Sequence, residues 1–211
     1  MLENTVAFNY TPYNHFESYK NVLKTVREHQ PNSDVFIYLD SIRTDIQQYS
    51  DVASSNNCNL IVRQDTMSYI RRDESTEVNE PKITEWLMRI KHTCENTDAT
   101  WVLLLEDDVI LKRAIEHWPT ADCGKNMDQI GFLGGGSIFR RKVFLDCLEK
   151  SDVPNIIKGN HTASWAGDHL LSHIFRPHGA TEEKWIELAE PNYYDRGPHA
   201  VFHGYKDLHN T

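Results

Sequence analysis

The stretch "WVLLLEDDVIL", Trp101 to Leu111, sets three carboxylates in a row directly behind four aliphatic residues. Its first half reads as a strand buried on both faces, because a short continuous apolar run without polar alternation fits the middle of a parallel sheet. Similar runs occur at "TVAF" (Thr5 to Phe8), "VFIYL" (Val35 to Leu39) and "LIV" (Leu60 to Val62). Between the first two, Phe16, Tyr19, Val22, Leu23 and Val26 fall three and four apart, the spacing that gives a helix one apolar stripe. Ile83, Trp86, Leu87, Ile90 and Cys94 repeat that spacing ahead of Trp101. Strand, helix, strand, and later helix, strand predicts right-handed crossovers and an open α/β sheet with helices on both faces. In such sheets ligands gather beyond the carboxyl ends of the strands, where Glu106, Asp107 and Asp108 lie.

The rest of the chain bounds what that end can do. Its 211 residues, with no Pro/Gly/Ser-rich linker, predict one domain, and the ending "DLHNT" leaves room for further domains of a longer polypeptide. A formal net charge of -9 without a basic stripe argues against nucleic acid and anionic membranes as partners. The start "MLENTVAFNYTP" has neither a basic nor an apolar leader region, and no apolar run is long enough to span a bilayer, so the expected location is the cytoplasm. The four cysteines, Cys58, Cys94, Cys123 and Cys147, form no CxxC pair and read as buried thiols in a reducing compartment.

After Asp108 the rhythm changes. "IGFLGGGSIFRR" holds two apolar pieces around Gly134, Gly135 and Gly136, and Val143 to Glu149 and Asp168 to Phe175 read as short helices in an α+β extension. If the backbone stays extended past Leu105, Glu106 and Asp108 point one way and Asp107 the other. Two convergent carboxylates suit a hard divalent cation carrying a diphosphate; a solvated acidic turn or a helix cap is the competing reading. The glycine run reads either as a hairpin turn or as backbone lying close to a ligand. Asp168, in "WAGDHLL", stands at a helix start, where capping is the plainer role. His203, Gly204 and Lys206, in "HAVFHGYKD", offer an imidazole for a metal, room for close approach and an ammonium for phosphate.

In that order these motifs resemble the nucleotide-sugar glycosyltransferases of the GT-A fold: an acidic DxD motif after a buried strand, a glycine-rich loop, an acidic helix start and a C-terminal metal-binding histidine. Within that family the chain is similar to a glycosyltransferase domain encoded by a chlorovirus, which would place it in the host-cell cytoplasm. It departs from the pattern in having Glu106 as the first acid and in "HGYK", which is tighter than HxxGxxK. The resemblance implies a GT-A (Rossmann-like) open mixed sheet with a smaller α+β C-terminal part, residues of about 1–108 binding nucleotide and about 109–211 binding acceptor.

It also implies roles. Asp108, His203 and Glu106 would hold Mn²⁺ or Mg²⁺. Asn9, Tyr10, Thr11, Asp40, Arg72 and Asp107 would bind a UDP-sugar through base, ribose and diphosphate, with Arg71 beside Arg72. Gly135, Gly136, Trp165 and His169 would meet the donor and acceptor sugars. Asp168 and Lys206 would be catalytic in transfer of a hexose-type sugar to a glycan or glycoprotein, and the His-Lys ending inclines the reading towards retention of anomeric configuration. A sugar nucleotidyltransferase is the alternative, and it predicts a glycine-rich basic loop after the first strand, whereas "NYTPYNHFE" has no Gly, Lys or Arg. A non-catalytic glycan-binding module or a metal-dependent hydrolase would be told apart by nucleotide-metal binding and by the product formed.

Overall fold

The computed structural model describes residues 4–13, 15–63, 76–125, 133–159, 166–189 and 199–203, with the side chains of 76–79 and 166–169 excepted. Strand β4 (Trp101–Leu105) is buried along its whole length because both of its faces meet a core. Trp101, Leu103 and Leu105 pack on one side with α1 (Phe16–His29) and α2 (Ile46–Ser55). Val102 and Leu104 pack on the other with α3 (Thr76–Glu95), α4 (Arg141–Glu149), α5 (Val153–Gly159) and α6 (Ala166–Phe175). Two apolar faces leave no position for polar alternation, so the run "WVLLL" is continuous.

β1 (Val6–Tyr10) lies between β2 (Val35–Asp40) and β4, parallel to both, and β3 (Asn59–Arg63) runs parallel to β2 at one edge. β7 (Ile138–Arg140) pairs antiparallel with β4, β6 (Cys123–Lys125) antiparallel with β7, and β8 (Glu182–Lys184) parallel with β6 at the other edge. The result is the expected mixed sheet, with seven strands ordered β3-β2-β1-β4-β7-β6-β8. A second sheet, ordered β5-β10-β9, joins β5 (Val109–Leu111), β9 (Leu188–Ala189) and β10 (Val201–His203). "LIV" is the exception to the expected two-sided burial: β3 is an edge strand, and Val62 is 42% exposed. Among the described residues no helix is long and apolar enough to cross a membrane. Cys94, Cys123 and Cys147 are buried free thiols and Cys58 is partly exposed; burial pushes the Cys94 and Cys123 thiols up.

Helix α3 is docked by polar groups as well as by its apolar stripe. Asn9 Nδ2 donates to the Arg89 carbonyl at 3.2 Å and to Thr93 Oγ1 at 2.9 Å, and the Tyr38 hydroxyl lies 2.9 Å from Thr93 Oγ1. Arg89 is fully buried; its Nε donates to Glu85 Oε1 at 3.0 Å and its Nη2 to Asp40 Oδ1 at 2.7 Å. Arg63 donates to both Glu85 oxygens, at 2.9 and 3.2 Å, so two guanidinium groups balance two carboxylates beneath the end of β2. Removing one member of such a set leaves a buried charge uncompensated. Arg89→Met is expected to lower unfolding free energy by about 3 kcal/mol, read as a lower urea midpoint. A loss indistinguishable from zero would mean that the network adds nothing to the docking of α3.

Candidate active site

Past Leu105 the chain turns instead of remaining extended. The Val109 N–H donates to the Glu106 carbonyl at 3.1 Å, and the chain re-enters a sheet as β5. This turn sorts the three acids. Asp107 swings towards the exit of β1, where its oxygens accept the Tyr10 hydroxyl at 2.8 Å and the Tyr13 N–H at 3.0 Å. Burial pushes the Asp107 carboxyl above its ordinary value, against the pull of those two donors. Glu106 and Asp108 converge elsewhere, as alternation predicted, but the turn is the cause.

The third member of that group comes from β10. His203 pairs in register with Val109, which sets its imidazole beside Asp108. Nε2 lies 3.6 Å from Asp108 Oδ1 and 3.7 Å from Glu106 Oε2, and one ligand atom from each residue falls within 4.8 Å of the others. Ligands of an octahedral ion at about 2.1 Å stand roughly 3–4 Å apart, so small rotations complete the fit. Two carboxylates and one imidazole make a mixed oxygen-nitrogen set that leaves coordination positions for a substrate. Asp108 is buried at 3% exposure, whereas the Glu106 side chain is 45% exposed at the surface.

Two glycines of the run, Gly135 and Gly136, are explained by contact. A Cβ on Gly135 would fall 2.7 Å from Glu106 Cδ, and one on Gly136 would fall 2.6 Å from Leu188 Cδ1 and 3.6 Å from His203 Cβ. Gly136 also has φ +80, a conformation costly for other residues. Its N–H donates to the Leu104 carbonyl at 2.7 Å, so the loop is pinned to β4 while its backbone lies against two of the three candidate ligands.

The β1 and β2 exits form the neighbouring wall. Asn9 and Tyr10, expected at the nucleotide, have side chains turned into the protein at 3% and 0% exposure. Their side chains are occupied by α3 and Asp107 respectively. Thr11 Oγ1 is buried without a hydrogen-bond partner among the described residues. Asp40 ends β2 with one oxygen on Arg89. Arg43, which the sequence did not single out, donates to the Pro12 and Tyr13 carbonyls, pairs with Asp45 and stacks 4.3 Å from the Tyr49 ring. Only its place after a strand exit hinted at this tie. Asp168 and His169 lie in the first turn of α6 by their backbone, as expected of a helix start. Arg71, Arg72, Trp165, Gly204 and Lys206 lie outside the described residues.

No protein-family profile and no curated protein sequence matches the chain. Solved structures do. The glycosyltransferase GlyE of Streptococcus pneumoniae TIGR4 aligns with a TM-score of 0.56 at 12% identity, over 88% of this chain and 45% of its own. S. aureus TarS 1-349 in complex with UDP aligns at 0.44 and 10% identity, over 67% of this chain and 48% of its own. The chain spans less than half the length of each of these structures. The likeness to GlyE is one of fold: this is a GT-A-like α/β fold of the kind found in glycosyltransferases.

Gly135 presses on the far end of a flexible side chain, so a methyl group there displaces the Glu106 carboxylate at little cost to the fold. Gly135→Ala is expected to weaken Mn²⁺ binding about tenfold with melting temperature nearly unchanged, as disturbing a ligand's support does at metal sites. Gly159→Ala, where no atom lies within 4 Å of the added methyl, serves as the control and is expected to bind as wild type. Equal Mn²⁺ affinity in Gly135→Ala would detach Glu106 from the metal.

Proposed function

We propose that the chain is a metal-dependent glycosyltransferase that moves a hexose-type sugar from a UDP-sugar to a glycan or glycoprotein acceptor. The observation that carries this reading is the convergence of Glu106, Asp108 and His203 at the carboxyl end of the central strand of a GT-A-like sheet. Asp108 and His203, with Glu106, would hold the ion; the carboxylates suit Mg²⁺ or Mn²⁺, and the imidazole nitrogen inclines the set towards Mn²⁺. When bound, the ion supplies Lewis-acid stabilisation of the diphosphate leaving group.

The chain's own groups do the rest. Thr11 and Asp40, on the wall made by the β1 and β2 exits, are the polar contacts for uracil and ribose, and Asp107 keeps that wall fixed by holding Tyr10 and Tyr13. The UDP assignment itself rests on the family resemblance of the acidic, glycine and histidine motifs. Arg72 and Lys206 would meet the diphosphate, and Gly135, Gly136, Trp165 and His169 the sugars. The acceptor hydroxyl attacks the anomeric carbon, the bond to the phosphate oxygen breaks, and UDP departs. In an inverting reaction the hydroxyl proton passes to Asp168; in a retaining one, which the His-Lys ending favours, a donor phosphate oxygen takes it and Asp168 orients a sugar.

A panel of UDP-, GDP- and dTDP-sugars with Mn²⁺ tests the reading. UDP-sugars are expected to raise the melting temperature most, since a ligand bound only to the native state stabilises it, and sugar transfer is expected from the same donors. Asp168→Asn is expected to leave UDP affinity unchanged and lower turnover about tenfold or more. Turnover like wild type would return Asp168 to a helix-capping role, and release of free sugar as the sole product from every donor and acceptor would make the chain a hydrolase.

A further inference from the structure

Glu187 stands in the turn ahead of β9 at 1% exposure, and its carboxylate gathers nitrogen atoms from three directions. Oε1 accepts the His117 N–H at 2.9 Å and the Glu116 N–H at 3.3 Å, and lies 2.9 Å from His117 Nδ1. Arg113 forks onto both oxygens. Oε2 also accepts the Ala200 N–H, at 3.2 Å, and the Glu187 carbonyl accepts the next N–H, that of Val201, at 2.8 Å. One residue therefore grips two successive amides just ahead of His203.

A buried carboxylate is destabilising unless it is fully paired, and an apolar side chain fills such a corner at lower cost. The choice of a carboxylate needs a reason, and the placing of β10 supplies one. β10 has only three residues, Val201, Phe202 and His203, so its ladder bonds are few. The Glu187 carboxylate, itself held by Arg113 and by the Glu116 and His117 amides, ties the Ala200 amide at the start of that strand to the segment of residues 113–117.

We infer that Glu187 is a positioning residue for the metal centre: its carboxylate ties the start of β10 to residues 113–117 and thereby holds His203 where its imidazole faces Glu106 and Asp108. Burial pushes the Glu187 carboxyl up, but the bonds from His117, Arg113 and the Glu116 amide outweigh it and bring it below its ordinary value, so the acceptor keeps its charge. The inference rests on the metal reading above, and its test separates the two.

The readout is Mn²⁺ bound to the protein, followed by its affinity and by the ¹⁴N modulation that a directly coordinated imidazole adds to the electron spin echo. In wild type the modulation is expected, and His203→Ala is expected to remove it. Glu187→Gln, folded by circular dichroism, is expected to bind Mn²⁺ about tenfold more weakly with the modulation reduced or lost. Arg113→Ala, which removes the fork but keeps the Ala200 bond, is expected to lower the melting temperature and retain the modulation. Should Glu187→Gln fail to fold, Glu187→Asp decides: it keeps the charge but shortens the reach to Ala200, and reduced modulation supports the role. Wild-type affinity and modulation in the folded Glu187 variant would overturn the role of Glu187 alone. Absence of modulation in the wild type would overturn the His203 ligand, and this inference with it.

Discussion

Three successive carboxylates at the end of a buried strand impose the constraint on which the site depends. Two unit charges 4 Å apart repel by about 4 kcal/mol at an effective dielectric of 20, so the three cannot crowd into one place unaided. The turn closed by Glu106 and Val109 divides them. Asp107 is handed to a tyrosine hydroxyl and a backbone N–H, which meet a single carboxylate in its own environment. Glu106 and Asp108 remain on the other side with one imidazole beside them. A divalent cation would relieve the repulsion left in that pair, and the backbone on either side is shaped around the pair.

The shaping comes from two structures that have no acidic residue in the cluster. The small sheet β5-β10-β9 begins directly after Asp108, so its register determines where His203 lies relative to the acids. The glycine loop reaches the same point from the opposite direction, pinned to β4 through Gly136 and pressed on Glu106 through Gly135. Both are tight against neighbours: Gly136 meets Leu188 of β9 as well as His203. The cluster is thus assembled where the main sheet, the small sheet and the loop touch.

Much of the frame could be read in the sequence because the main strands and helices carry their own periodicity. β4 is a continuous apolar run between two cores, β1 and β2 are runs buried against the larger one, and the stripes of α1 and α3 bury as their spacing implies. What could not be read depends on partners distant in the chain. β9 and β10 are two and three residues long, too short for any period to register, and they exist because β10 pairs with β5 on one side and with β9 on the other. The side-chain directions of Asn9 and Tyr10 were hidden for a related reason: polar side chains at a strand exit point to a ligand by position, yet these two turn inward to α3 and Asp107. Arg89 gave no local sign that its guanidinium would lie under Asp40. Convergence of Glu106 and Asp108 was foreseen from strand alternation but is produced by a turn.

The central claim is that Glu106, Asp108 and His203 form one metal site that holds a nucleoside diphosphate. Calorimetric titration of UDP, with Mn²⁺ and then with EDTA, on the wild type and on Asp108→Ala, tests it most directly. The account predicts UDP binding to the wild type only with Mn²⁺ present, and none to Asp108→Ala under either condition. UDP binding of equal strength with EDTA, or in Asp108→Ala, would contradict it and return the acidic turn to a structural role.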